Sequence, residues 1–232
     1  MSSTGLRWEF LGQNLVLLPA KAIFWEEEKA LIIADLHIGK VGHFRKAGIA
    51  VPKLMEQEEL AALSDLIAEY RPEKLIFLGD LFHSEMNNDW NWLQLWRDLF
   101  PDLRMILIQG NHDILQEEFY SKANFEVYDE LKLGPFLLVH DKKDYEKRPQ
   151  PDLYILSGHL HPAVKLRGKA RQSVLLCCFF FGKTSAILPA FGKFTGKCIL
   201  QENKEATVFA VLNKKIILLK NTADNLHSDT LL

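Results

Sequence analysis

Thiols and long apolar runs are scarce in this sequence of 232 residues. The three cysteines, Cys177, Cys178 and Cys198, lack CxxC spacing, which argues against a disulfide framework and against a thiolate zinc site. No segment approaches ~18 uninterrupted apolar residues, and the N-terminus lacks a basic start followed by an apolar run. We therefore expect a soluble, cytoplasmic protein.

Net charge is also small. At −2, it excludes the uniformly basic surface of a protein that binds phosphates over its whole surface, so any anion binding must be local. With 48% hydrophobic and 25% charged residues, the chain can bury a substantial core, and its length is ordinary for one α/β domain. We expect a single domain over residues 1–220 and a polar, disordered tail at residues 221–232.

Short apolar runs predict strands along most of the chain. Seven of them occupy residues 15–18, 22–25, 31–34, 74–78, 104–108, 136–139 and 153–156. After Gly158 the runs SVLLCCFFFG, SAILP, KCIL, TVFAVL and KIILL follow closely on one another, which predicts a second layer of strands. The fold class predicted is therefore α/β, with two packed β-sheets flanked by helices.

Two stretches between the strands have helical spacing. The first, from Lys53 to Tyr70, should cover one sheet face. The second, from Asp89 to Phe100, has one apolar face and further apolar residues around the rest of the helix. That face carries Trp92, Leu95, Trp96 and Leu99, and the surrounding apolar residues are Trp90, Leu93 and Phe100. A core helix packed against the sheet is the favoured interpretation, and an exposed apolar stripe used in a homodimer is the alternative.

Polar residues follow five of the predicted strands at the point where each ends. They are Asp35 and His37, then Gly79 and Asp80, then Gly110, Asn111, His112 and Asp113, then His140, and finally Gly158, His159 and His161. Because ligands gather beyond the carboxyl ends of strands in α/β sheets, these residues can converge in one crevice. Side chains two apart in an extended segment point the same way, so the Asp-x-His and His-x-His pairs can each hold one object. Carboxylates and imidazoles in this number indicate divalent cations.

The order D-x-H, G-D, G-N-H-D, H and G-H-x-H resembles the calcineurin-like metallophosphoesterase superfamily. The segments ADLHIGKVGHFRKAGIAVP, SGHLHPAV and LPAFGKFTG look like the bacterial branch called DNA ligase-associated metallophosphoesterase, over residues from roughly 15 to 220. This resemblance implies a four-layer α/β sandwich that hydrolyses phosphoesters with two metal ions.

The resemblance also implies a ligand set. Asp35, His37 and His161 would hold one metal, Asn111, His140 and His159 the other, and Asp80 would bridge both. A shared carboxylate offsets the repulsion between cations about 3.5–4 Å apart, and an amide oxygen coordinates without adding charge. The implied chemistry is in-line attack on phosphorus by a hydroxide generated on the metals.

His112 stands next to an implied ligand without being one. The resemblance makes it the acid that protonates the departing oxygen, with Asp113 as a partner that keeps it charged; a structural histidine is the alternative. Two positions depart from the superfamily pattern. His83 occupies a site where an acid is common, and the fourth-motif histidine is flanked by Val139 and Asp141 where glycine is common. A substrate contact and a loop residue are equally favoured for His83, ahead of a hydrogen bond within the site.

Basic residues follow three of the motifs. They are His43, Arg45 and Lys46, then Lys142, Lys143, Lys147 and Arg148, then Lys165, Arg167, Lys169 and Arg171. From Asp141 to Arg171, eight Lys or Arg stand against four acids, which favours a polyanionic substrate about as well as it favours ordinary solvated loops. Phe44, Tyr145 and Phe191 lie in or near these regions and are candidates for base stacking.

The resulting hypothesis is a two-metal phosphodiesterase or endonuclease that acts on nucleic acid. The branch implies DNA repair beside a DNA ligase and a helicase, with Mn²⁺ as the usual metal, although Fe, Zn and Mg also suit the ligands in part. The alternatives are a phosphomonoesterase, a nucleotide pyrophosphatase and a non-catalytic scaffold of the same fold. Because imidazoles coordinate only when neutral, metal affinity should fall toward pH of about 5 to 6, as the histidine ligands protonate near pKa of about 6.5.

Overall fold

The computed structural model describes residues 5–40, 54–83, 88–146, 152–167, 172–200 and 205–220. Several residues singled out above lie outside these ranges. They are His43, Phe44, Arg45, Lys46, Lys147, Arg148, Lys169, Arg171 and residues 221–232. The single domain over residues 1–220 and the disordered tail stay predictions.

The first sheet holds seven strands in chain order. They are β1 (Leu6–Phe10), β2 (Gln13–Leu18), β3 (Ala22–Trp25), β4 (Ala30–Ile33), β5 (Lys74–Leu78), β6 (Arg104–Ile108) and β7 (Phe125–Tyr128). Strands β1 to β4 form an antiparallel meander, and β4 to β7 are parallel. The parallel strands β4, β5 and β6 are apolar on both faces because both faces are covered. Their carboxyl ends therefore share one edge of the sheet.

The second sheet is mixed. Its strands are β8 (Leu131–Leu133), β9 (Phe136–Leu138), β10 (Tyr154–Ser157), β11 (Pro162–Arg167), β12 (Ser173–Phe181), β13 (Ser185–Ile187), β14 (Cys198–Ile199), β15 (Thr207–Leu212) and β16 (Lys215–Lys220). The order is β14-β11-β12-β13-β10-β9-β8, and β15 joins β12 to β16. Strands β9, β10 and β13 are parallel to one another, so the segments after β9 and β10 leave the sheet at one edge.

The described helices are α1 (Leu54–Tyr70), α2 (Asn88–Asp98), α3 (Glu117–Lys122) and α4 (Lys143–Glu146). Leu63 and Leu66 of α1, together with Leu93 of α2, share one apolar cluster with Leu31 and Leu75 of the first sheet. Among the helices that the structure describes, none has the length and apolar character to cross a membrane.

A second apolar cluster fills the space between the sheets. Ile32 and Ile76 of the first sheet meet Leu138, Leu156 and Phe179 of the second. Each of these side chains is fully buried. Two multi-stranded mixed sheets packed together and flanked by helices confirm the predicted fold class.

Helix α2 buries only part of its apolar surface. Trp90 and Leu93 are buried, and Trp90 packs edge-on against Phe82 with ring centroids 5.3 Å apart. On the apolar face noted in the sequence, Trp96 is buried, whereas Trp92 is 54% and Leu95 60% exposed. Apolar residues recur every three or four positions on both faces, so helical periodicity alone could not orient the helix. The helix does pack against the sheet as favoured, and it also leaves an apolar stripe exposed.

Because the buried face of α2 depends on Trp90, its truncation should destabilise the fold strongly. Trp90→Ala is expected to cost about 3–5 kcal/mol of unfolding free energy, the usual cost of deleting a buried tryptophan. Urea denaturation measures this cost. The matched variant Trp92→Ala, two residues away on the exposed face, should stay within about 0.5 kcal/mol of wild type. Equal losses in the two variants would contradict the observed helix orientation.

Candidate metal centre

The turns after the strands are joined to one another by backbone hydrogen bonds. Asp35 N donates to Gly79 O at 3.2 Å, and His37 N donates to Asp80 O at 2.8 Å. On the second sheet, Gly158 N donates to His140 O at 3.0 Å. These bonds join the loops within each sheet. The two sheets are joined by His159 N, which donates to Asp35 Oδ1 at 3.1 Å and to Asp35 Oδ2 at 3.0 Å.

The motif side chains converge through left-handed turns rather than through extended segments. The φ angle is 53° at Asp35, 54° at His37, 51° at Asp80, 67° at His159 and 49° at His161. Such angles are uncommon for residues with a Cβ and cost of order 1–3 kcal/mol each. The extended geometry inferred for the two pairs is therefore wrong. Asp35 and His37 do share one donor cluster, but His159 and His161 belong to different clusters, so the His-x-His pair does not hold one object.

Two glycines make the close approach of these turns feasible. Gly79 has φ of 77°, and a Cβ there would collide with the ring of His140. A Cβ on Gly110 would collide with the backbone nitrogen of Asp80. Only a residue without a side chain lets these loops pass each other so closely.

The first donor cluster consists of Asp35, His37 and His161, whose ligand atoms all lie within 4.8 Å of one another. His161 Nε2 is 3.4 Å from Asp35 Oδ1. The Nε2 atoms of His37 and His161 are buried, and neither has a hydrogen-bond partner among the described residues. Since buried polar atoms are normally satisfied, two orphaned imidazole nitrogens beside a buried carboxylate fit a divalent cation.

The second donor cluster consists of Asp80, His140 and His159, again with ligand atoms within 4.8 Å of one another. Asn111 adds an amide oxygen 3.0 Å from His140 Nε2. His140 Nδ1 lies 3.0 Å from the backbone oxygen of Leu78, to which it can only donate. Donation there leaves the lone pair on Nε2, the arrangement expected of a metal-binding histidine.

Asp80 lies between the two clusters. Its Oδ2 is 3.5 Å from His37 Nε2, and its Oδ1 is 3.5 Å from His140 Nε2. The backbone nitrogen of His112 also donates to Oδ1 at 2.9 Å, which fixes the carboxylate. One buried side chain thus faces both sets of donors.

His37 cannot supply the acid sensitivity expected from the sequence. Burial, together with the positive charge of Lys40 nearby, lowers the pKa of His37 to about 2. The ring therefore stays neutral across the whole range in which an exposed histidine titrates. The expectation that it protonates toward pH of about 5 to 6 is wrong for this residue, because that range applies to a solvated imidazole and this one is buried.

The structure brings His83 and His112 to the first cluster. His83 Nδ1 is 3.1 Å from His37 Nδ1, and the rings of His83 and His112 have centroids 4.1 Å apart. The ring of His112 is 5.4 Å from that of His37, again between centroids. Of the three interpretations of His83, this geometry favours a hydrogen bond to His37.

Asp113 lies beneath the loop that carries Asn111. Its Oδ1 accepts from Phe82 N at 3.0 Å, and its Oδ2 accepts from Gly110 N at 2.9 Å. Burial raises the pKa of Asp113 to about 7, against partial compensation by these two hydrogen bonds. Its carboxylate therefore joins the loop after β5 to the loop after β6.

Sequence reasoning missed a set of hydrogen bonds behind the first cluster, formed by Lys21, Gly192 and Glu59, which we call the brace. Lys21 Nζ donates to the backbone oxygen of Phe191 at 2.6 Å, and Gly192 N donates to Asp35 O at 3.1 Å. Glu59 Oε1 accepts from Lys193 N at 2.6 Å. Phe191 itself is buried in the core on the helix side, so its assignment as a base-stacking candidate is wrong. No local pattern signals this brace because its partners are more than 100 residues apart.

Asp141 is a second residue whose role the sequence did not show. Its Oδ2 is 3.6 Å from His159 Nε2, and its Oδ1 accepts from Lys143 N at 3.0 Å at the start of α4. The departure from glycine beside His140 was the available signal. The Asp141 carboxylate contacts Nε2 of His159, whereas the other ring nitrogen, Nδ1, faces the second cluster. This contact therefore orients the ring of His159.

The chain is similar to known phosphoesterases. Residues 29–150 match the calcineurin-like phosphoesterase family. The nuclease MPE of Pseudomonas putida is similar in structure, with a TM-score of 0.78, 32% sequence identity, and coverage of 93% of this chain and 100% of that one. YfcE, a phosphoesterase from E. coli, aligns with a TM-score of 0.41 and 14% identity over 81% of this chain and 96% of that one. No curated protein matched the sequence.

Proposed function

Because the chain belongs to the calcineurin-like phosphoesterase family and is a binuclear metal-dependent hydrolase, we propose that it is a phosphodiesterase acting on nucleic acid. The observation that carries this proposal is the pair of adjacent donor clusters, because Asp80 of the second cluster also lies 3.5 Å from His37 of the first. The similarity to a nuclease over 93% of the chain supports nucleic acid as the substrate class. We place the protein in the DNA ligase-associated branch, as an endonuclease that works in DNA repair beside a ligase and a helicase in the cytoplasm.

The metal ligands are part of the same proposal. Asp35, His37 and His161 would hold one ion, Asn111, His140 and His159 would hold the other, and Asp80 would offer one carboxylate oxygen to each. The mixed oxygen and nitrogen donors suit Mn²⁺, the metal that the resemblance implies. When bound, two such cations lower the pKa of coordinated water and neutralise charge on the phosphate.

The remaining residues are proposed to donate a proton, to position the proton donor and to attract the phosphate. His112 is half-buried beside the first cluster, where its ring can donate a proton to the departing ester oxygen. Asp113 holds the loop that carries His112 by binding its backbone at Gly110. Burial lowers the pKa of Lys40, whereas the charges of Asp80 and Asp35 nearby act to raise it; its amine can add a positive charge near the phosphate. His43 and Arg45, outside the described residues, stay proposed substrate contacts.

Two exposed surfaces are the proposed contact sites for the partners. The side chains of Lys143, Lys165 and Arg167 are exposed and can attract a polyanion. The exposed stripe formed by Trp92 and Leu95 of α2 and by Leu99 just after it is the proposed contact in a homodimer.

The direct test is an assay of metal-loaded protein with bis-p-nitrophenyl phosphate and with single-stranded DNA. Turnover of both that depends on Mn²⁺ is expected. Absence of turnover for both, with metal binding verified, would remove the proposal. A preference for terminal phosphates would instead identify a phosphomonoesterase.

His83 should act through His37, because a hydrogen bond between their Nδ1 atoms turns the Nε2 atom of His37 toward the first cluster. His83→Ala is therefore expected to weaken Mn²⁺ binding at one of the two sites by about 10- to 100-fold, as loss of an orienting partner usually does. Calorimetric titration of metal-free protein measures the two affinities separately. His83→Asn, which retains a hydrogen-bonding side chain, should recover most of the affinity. Unchanged binding in the alanine variant would show that His83 is only a loop residue.

A further inference from the structure

A cavity of about 490 Å³ opens directly beside the second donor cluster. Asn111, His140 and His159 form one wall, so a phosphate held at the metals would carry one of its substituents into this space. The volume lies within the range of about 300–1000 Å³ that is typical of small-molecule sites. His112 does not line the cavity. The cavity therefore suits the ester substituent that stays on phosphorus rather than the one that departs.

The lining also has an acidic part, which we call the acidic wall. It includes Asp129, Asp141 and Asp144, and the described residues that line the cavity include neither lysine nor arginine. Such a wall repels a second phosphate and accepts hydrogen bonds from neutral N–H groups. Asp141 is already engaged with Lys143 N and His159, which leaves Asp129 and Asp144 as acceptors for a ligand.

Tyr145 completes the lining with an aromatic ring. The side chain is half-buried, and its ring contributes an apolar surface to the cavity. Stacking of a base on such a ring strengthens binding by roughly 5- to 100-fold.

We propose that this cavity is a nucleobase subsite for the nucleoside on the retained side of the scissile phosphate. The base stacks on Tyr145, and its N–H groups donate to Asp129 or Asp144. Substrate recognition then comes from a neutral, hydrogen-bonding ring beside the metals, whereas the basic residues attract the rest of the polyanion. This inference rests on the proposed phosphodiesterase function.

The test compares substrates that share a leaving group. They are methyl p-nitrophenyl phosphate and the p-nitrophenyl phosphate esters of thymidine at its 5′ and its 3′ oxygen, all with Mn²⁺. Wild type should hydrolyse at least one thymidine ester with kcat/KM about 10-fold or more above the methyl ester. Tyr145→Leu should reduce this preference by about 5-fold or more, and Tyr145→Phe, which keeps the ring, should retain it. Tyr128→Leu, an exposed tyrosine outside the cavity lining, is the matched control and should behave as wild type.

Each outcome bears on a different claim. If none of the three esters is hydrolysed, the proposed function fails. If the methyl and thymidine esters are hydrolysed equally well, the phosphodiesterase stands and the subsite is overturned. The subsite is likewise overturned if Tyr145→Leu keeps the full preference. Should Tyr145→Leu not fold, inhibition by thymidine monophosphates and by methyl phosphate decides, and equal inhibition constants would overturn the subsite.

Discussion

Asp80→Asn is expected to lower Mn²⁺-dependent phosphodiester turnover by about 1000-fold or more. The two carboxylate oxygens face separate donor clusters, each at 3.5 Å from an imidazole nitrogen. An amide removes the negative charge that both metals would share, and metal stabilisation of the transition state is worth several kcal/mol. The oxygen that remains can still accept the hydrogen bond from His112 N, so the fold should survive. Steady-state kinetics and metal analysis of the same sample measure the effect.

Asp102→Asn is the matched control for this variant. Asp102 lies exposed in the turn after α2, and its substitution should leave turnover and metal content unchanged. If Asp80→Asn loses less than about tenfold in kcat/KM and still binds two metals, a bridging role for Asp80 is wrong.

His112→Asn should slow hydrolysis of single-stranded DNA by about 100- to 10,000-fold, the usual contribution of a general acid. The leaving oxygen of DNA is strongly basic and needs a proton as it departs from phosphorus, whereas p-nitrophenolate is a stable anion and departs without one. The same variant should therefore lose far less activity toward bis-p-nitrophenyl phosphate. The ratio of the two rate losses is the measurement.

A purely structural histidine predicts a different pattern. Misplacement of His37 through the lost ring contact of His112 would slow both substrates by a similar factor. Equal losses would therefore assign His112 to the support of the metal centre and leave the proton donor unidentified.

The strands that could be predicted from the sequence are those buried on both faces of a sheet. Strands β5 and β6 match the predicted residues 74–78 and 104–108 because parallel central strands need continuous apolar runs. Strands β1, β7, β8 and β11 were not predicted. Each includes a charged side chain and none is buried throughout, so no apolar run marks them.

The residues that form the site could be predicted from the sequence, but the backbone conformation that holds them could not. The five motifs named the residues that the structure gathers, because each follows a strand that ends at the same edge. Left-handed turns at Asp35 and His159, the brace from Lys21, and the acidic wall at Asp129 depend on contacts between distant loops. Basic residues near the motifs suggested a basic surface, yet the cavity beside the second cluster is lined by carboxylates.

The central claim is that two cations bind side by side and share Asp80. Anomalous diffraction from crystals grown with Mn²⁺ tests it most directly. Two anomalous peaks about 3.5–4 Å apart are expected, one among Asp35, His37 and His161 and the other among Asn111, His140 and His159, with Asp80 between them. A single peak, or peaks away from Asp80, would contradict the account.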